Sequence, residues 1–103
     1  MLAAIAVEQA GADPLIPETL AKARCLYIME LEDGVLSAVL PLAHEQDAVR
    51  IIGEQGCRAL ICGQIGKDAR EALRRLGVHC FDGYLYRLKQ VRRLLYTGVL
   101  PVI

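Results

Sequence analysis

The stretch from Ala59 to Val78 constrains the fold more than any other. An apolar run, Ala59-Leu60-Ile61-Cys62, meets a glycine-punctuated turn, Gly63-Gln64-Ile65-Gly66, then an amphipathic segment from Lys67 to Leu76, and after Gly77 a second apolar run beginning at Val78. This reads as strand, turn, helix and strand, one parallel crossover, which is right-handed in nearly all sheets. Such a crossover places its glycine turn at the carboxyl edge of the sheet, where open α/β folds keep their ligands. Function is therefore sought around Cys62 to Gly66.

The chain's 103 residues suit one domain, 1–103, with a single core. Its 54% hydrophobic and 23% charged content excludes a disordered tail. Twelve bases balance twelve acids, so no global field draws it to nucleic acid or to an anionic membrane. The start, Met1 to Val7, lacks the basic flank and cleavage site of a signal peptide, and Glu8 follows at once, so it is read as the first strand. No apolar run approaches the roughly 18 to 20 residues that span a bilayer. A soluble, cytoplasmic protein is expected. Its four cysteines, Cys25, Cys57, Cys62 and Cys80, fall outside any C-x-x-C spacing and are expected to be reduced.

The segment Gln9 to Pro17 is a loop by composition, with Gly11, Asp13, Pro14 and Pro17. Two apolar runs, Cys25 to Leu31 and Val35 to Leu40, flank Asp33-Gly34, a strong hairpin signal. Helical spacing of Ala48, Val49, Ile51 and Ile52 predicts a helix from His44 to Gln55, stopped by Gly56. The remaining elements are strand 58–62, helix 67–76, strand 78–81 and a last helix from Tyr84 to Tyr96, closed by Gly98. The apolar tail 99–103 has no assigned place. The order β-β-β-α-β-α-β-α predicts an α/β fold, a three-layer, RNase H-like arrangement around a mixed five-stranded sheet.

Several side chains carry chemistry. Gly63, Gln64 and Gly66 form a turn whose backbone permits close approach, and the helix start at Lys67 offers unpaired N–H groups to an anion. The same turn also serves as a plain strand-to-helix connection. Cys62 and Cys80 end strands and Cys25 opens one, so all three are expected near one sheet edge, where thiolates suit iron, copper or molybdenum-linked sulfur clusters. Packed, inert thiols are the plainer reading, since free cysteine is among the most buried residue types. His79 has no neighbour at ligand spacing, and His44 begins a helix. On the last helix Leu88, Val91, Leu94 and Leu95 share one face, opposite a basic strip of Lys89, Arg92 and Arg93 with Tyr96; the strip is either a solvated face or a surface for an acidic partner or anionic ligand. A two-metal nuclease is excluded, because Glu30 and Glu32 lie at the far end of the second strand from Glu8. No nucleophile, base and oxyanion arrangement is visible, so no enzyme is expected.

The whole pattern resembles the dinitrogenase iron-molybdenum cofactor biosynthesis family, which includes NifX and the C-terminal domain of NifB. The resemblance rests on the Gly63-Gln64-Ile65-Gly66 turn before Ala69-Arg70-Glu71-Ala72-Leu73, on Gly77-Val78, on Tyr27 to Gly34 and on Tyr96-Thr97-Gly98. Where the family carries a His-Phe-Gly-Arg-Ala-like motif, this chain has Thr19-Leu20-Ala21-Lys22-Ala23, which keeps only the cation. The resemblance implies a non-catalytic binding or carrier protein for an iron-sulfur or molybdenum-containing cluster, with donor or acceptor proteins of cofactor assembly as partners. Lys22 and the Gly63 to Gly66 turn would contact the cluster's anionic groups, Cys62 and Cys80 would be soft metal ligands, and Thr19 is included by position. The alternatives are a ligand-free interaction module that self-associates, for example as a homodimer, and a metal-free small-anion binder.

Overall fold

A computed structural model describes residues 1–97 of the chain, with side chains through Leu94. The expected closure of the last helix at Gly98, the faces of Leu95 and Tyr96, and the tail lie outside the described residues. The central strand β1 (Leu2–Val7) explains the architecture, because Ala3 to Val7 are all 0% exposed. Small and branched apolar residues alternate there without a charge, as a strand covered on both faces requires.

Strand β1 pairs antiparallel with β2 (Cys25–Glu30) and parallel with β4 (Ala59–Cys62). Strand β3 (Leu36–Pro41) lies outside β2 and β5 (His79–Asp82) outside β4, giving the order β3-β2-β1-β4-β5. Helices α1 (Glu45–Gln55) and α2 (Lys67–Arg75) cover one face, packing Ile51, Ile52 and Leu73 onto Ala4, Ala6, Leu26, Ile28, Leu60 and Cys62. Helix α3 (Leu88–Thr97) covers the other, with Leu88 and Val91 against Ile5, Tyr27, Met29 and Ile61. These are the three layers and the five-stranded mixed sheet that the element order predicts.

The edge strand β3 is uncharged, but two features blunt it. A bulge opposite Ile28 and Met29 interrupts its pairing at one end, and Pro41, which has no N–H, closes the other. The bulge also moves the start of β3 to Leu36, one residue later than expected. Helix α1 ends as predicted, at Gly56 with φ 71°, in the left-handed region that glycine adopts without cost.

Two expectations change. The last helix begins at Leu88 rather than Tyr84, because local hydrogen bonds hold the preceding residues in a turn. Asp82 Oδ1 accepts the Tyr84 N–H at 3.0 Å, Gly83 carbonyl accepts the Tyr86 N–H at 2.9 Å, and Leu85 has φ 73°. Asp13 Oδ1 then caps the helix by accepting the Lys89 N–H at 3.0 Å. The loop after β1 also belongs to the core. Its Ile16 is 0% exposed, the Ile16 N–H reaches the Tyr86 carbonyl at 2.9 Å, and the Tyr27 hydroxyl both accepts from and donates to the Gly11 backbone at 3.0 Å. The loop thereby completes the layer that α3 leaves unfinished. Among the described residues no helix is long and apolar enough to cross a membrane.

Candidate functional site

At the carboxyl edges of β4 and β5 the chain forms an open cleft of about 340 Å³, lined by Glu18, Gly63, Gln64, Asp82 and Tyr84. The register puts it there: Cys62 pairs with Asp82 as the last step of the parallel ladder, so both strands release their connections side by side.

The glycine turn is clasped by the loop after β1. Gln64 donates its N–H to the Glu18 carbonyl and accepts the Leu20 N–H at its own carbonyl, each at 2.8 Å, forming a parallel bridge between Thr19 and Gln64. Gly63 makes the clasp feasible, since a Cβ there would lie 2.2 Å from the Glu18 oxygen and 2.3 Å from the Pro17 oxygen. The structure therefore brings Thr19, Gly63 and Gln64 together. Lys22 stands on the adjoining 3-10 turn (Leu20–Lys22), exposed, its Nζ 3.6 Å from Glu18 Oε2. An exposed pair of that kind is a weak constraint, so the cation is free to exchange partners.

Gly66 occupies a different setting. Its N–H, the first of α2, donates to Glu45 Oε2 at 3.3 Å, so the chain's own carboxylate from α1 stands at this helix start. Glu45 was not singled out from the sequence, nor were Glu18, Asp82 and Tyr84. The Asp82-Gly83 pair that closes β5 was the available signal, because a strand's carboxyl end in a parallel sheet is a ligand edge.

The cysteines separate by face. Cys62 and Cys80 share the α1/α2 side of neighbouring strands, whereas Cys25 packs on the α3 side. Cys25 does lie at the carboxyl end of β1, paired with Val7, but alternation turns it away from the other two. Cys80 pairs with Leu60 and so sits two residues inside the edge, where Cys62 pairs with Asp82, rather than at the end of β5 as expected. Cys62 is fully buried, and burial pushes its thiol well up, reinforced by Cys80, Asp82 and Glu45 and opposed in part by Arg70. Burial also raises Cys80. His79 is exposed and starts β5, at the end remote from the cleft. Among the described residues no group of three or more His, Cys, Asp and Glu side chains is placed to hold a metal ion.

The raised thiols carry a pH dependence. An unperturbed thiol ionises near pH 8.5, and the native state holds the Cys62 proton above that point. The unfolded chain then binds fewer protons than the native one, so stability is complete below the unfolded pKa and falls as pH rises through about 9. The slope is expected to reach about 1.4 kcal/mol per pH unit for each such thiol. Urea midpoints at pH 8, 9 and 10 check this against Cys62→Ala, in which the decline should be shallower; equal slopes would mean that Cys62 ionises in place.

Comparison with solved structures shows the fold. The apo form of the orange protein from Desulfovibrio gigas superposes with TM-score 0.84 at 18% identity, over 99% of this chain and 92% of that one. A NifB candidate from Thermotoga gives TM-score 0.75 at 20% identity, covering 96% of this chain and 91% of that one. A dinitrogenase candidate from Methanocaldococcus jannaschii gives 0.72 at 12%, over 97% and 93%. No protein of curated function matches the chain. The family model described as dinitrogenase iron-molybdenum cofactor matches residues 1–98, the full extent of the sheet, its helices and the edge cleft, and the chain belongs to that family.

Proposed function

We propose that this protein is a non-catalytic binding or carrier protein for an iron-sulfur or molybdenum-containing cluster, taken into the cleft at the carboxyl edges of β4 and β5. The carrying observation is the coincidence of family membership with a cleft at that edge. In this reading Gly63 and Gln64 form the wall of the seat, Thr19, Lys22 and Gly66 on the adjoining loop and helix start supply further contacts, and Cys62 and Cys80 would serve as soft donors once the turn opens and their thiols ionise.

Glu18 and Asp82 in the wall oppose a bare small anion, whereas the metal ions of a cluster would accept carboxylate oxygens as ligands and leave its anionic groups to Lys22. A nucleophilic role for Cys62 is opposed by its raised thiol, since the thiolate is the reactive form. The same burial means that Cys62 reaches cargo only if the Gly63 to Gly66 turn opens. That observation favours, as a second reading, an interaction module that has kept the fold and lost the ligand.

Anaerobic reconstitution with iron, sulfide and tetrathiomolybdate, followed by desalting, metal analysis and visible spectroscopy, separates the two. Stoichiometric retained metal with a charge-transfer band, weakened several-fold in Lys22→Ala, is expected. Loss of the band in Cys62→Ser would add direct ligation through an opened turn. A colourless, metal-free wild-type protein would leave the interaction module.

A further inference from the structure

The charge of this chain is balanced in total and segregated in space. Asp82 is its last acid, and Arg87, Lys89, Arg92 and Arg93 follow, so a formal net charge of +0 divides into a net-negative body and a net-positive C-terminal stretch. Helix α3 carries no acid to offset its cations, and Lys89, Arg92 and Arg93 stand at i, i+3 and i+4 on one face. Like charges at that spacing destabilise a helix. An acid at one of these positions would relieve the repulsion, and the chain has none.

Packing turns this strip into a defined surface. Leu88 and Val91 anchor the opposite face of the helix in the core, which fixes its rotation. The Arg92 guanidinium donates to the Gly34 carbonyl at the β2–β3 hairpin, which fixes that side chain. Lys89 and Arg93 flank it, exposed, and among the described residues neither has an ion pair. Together with Asp33 and Gly34 the three cations line a shallow depression of about 220 Å³. Asp33, exposed in that lining, accepts the Val35 N–H at 2.9 Å and so caps the hairpin.

We infer that this face of α3 is a docking surface for an acidic segment of a partner protein. The depression is too open to enclose a small ligand, and a pinned guanidinium between two free cations suits carboxylates presented in series along a chain. Among the described residues the lining holds no aromatic side chain on which bases could stack, which favours peptide over single-stranded nucleic acid. The surface lies at the hairpin end of the sheet, away from the edge cleft, so a docked partner leaves the cleft open. The inference does not depend on what the cleft holds.

The test is fluorescence anisotropy of the full chain with labelled octaglutamate, titrated at low and at physiological salt. Saturable binding is expected, weakening steeply with salt. Lys89→Glu/Arg93→Glu should weaken it at least tenfold, and the milder Lys89→Gln/Arg93→Gln several-fold, with unchanged circular dichroism. Lys67→Glu/Arg74→Glu, which reverses two exposed cations on α2, should change it less than twofold. Absence of saturable binding, an equal loss in the α2 variant, or tenfold tighter binding of octathymidylate than of octaglutamate would each overturn the proposal.

Discussion

Gly63→Ala is expected to destabilise the protein by about 3 kcal/mol, read as a lower urea midpoint at unchanged slope. The reason is steric and lies in the backbone. The added methyl would sit 2.2 Å and 2.3 Å from the carbonyl oxygens of Glu18 and Pro17, where no side chain can swing aside. The loop must back away, which stretches the hydrogen bonds from Gln64 to Glu18 and from Leu20 to Gln64, now both 2.8 Å. Gly66→Ala is the matching control. Its methyl would meet Glu45 Oε1 at 2.6 Å, the far end of a half-buried but flexible side chain, and a loss below about 1 kcal/mol is expected. If both substitutions cost the same, the clasp between the loop and the turn is not what holds the cleft.

Ile16→Ala is expected to cost about 2 to 4 kcal/mol, a core-sized effect from a residue in a loop. Ile16 is 0% exposed, meets α3 and the sheet, and donates its N–H to Tyr86. Removing its outer carbons leaves a cavity that the fixed strands cannot fill. The same change should speed amide exchange at position 16 and at Leu85, because those two N–H groups donate to the Tyr86 and Ile16 carbonyls in the backbone pairing. Urea unfolding together with exchange at these amides checks it. A loss under 1 kcal/mol would mean that the loop is a cover rather than part of the core.

Ile16 also illustrates why the sequence was only partly legible. Its neighbours Gly11, Asp13, Pro14 and Pro17 mark a loop, and a loop it is, yet nothing local reveals that one isoleucine in it plugs the α3 layer. The basic strip was legible because helical period alone places Lys89, Arg92 and Arg93 together; its pinning on Gly34 was not, because the hairpin is remote in sequence. The start of α3 was misplaced for a similar reason. Tyr84 and Leu85 are acceptable helix formers, and the turn that excludes them depends on Asp82 and on the pairing of Ile16 with Tyr86.

The order of strands and helices and the crossover at Gly63 to Gly66 were legible without coordinates, because they follow from apolar period and turn chemistry between near neighbours. Packing of the folded chain is what makes Thr19 bridge Gln64, sets Glu45 at the start of α2, walls the cleft with Asp82 and Tyr84, and turns Cys25 away from Cys62 and Cys80. Those outcomes depend on strand register and loop path, which are settled by packing between segments far apart in the chain, and no local pattern encodes them.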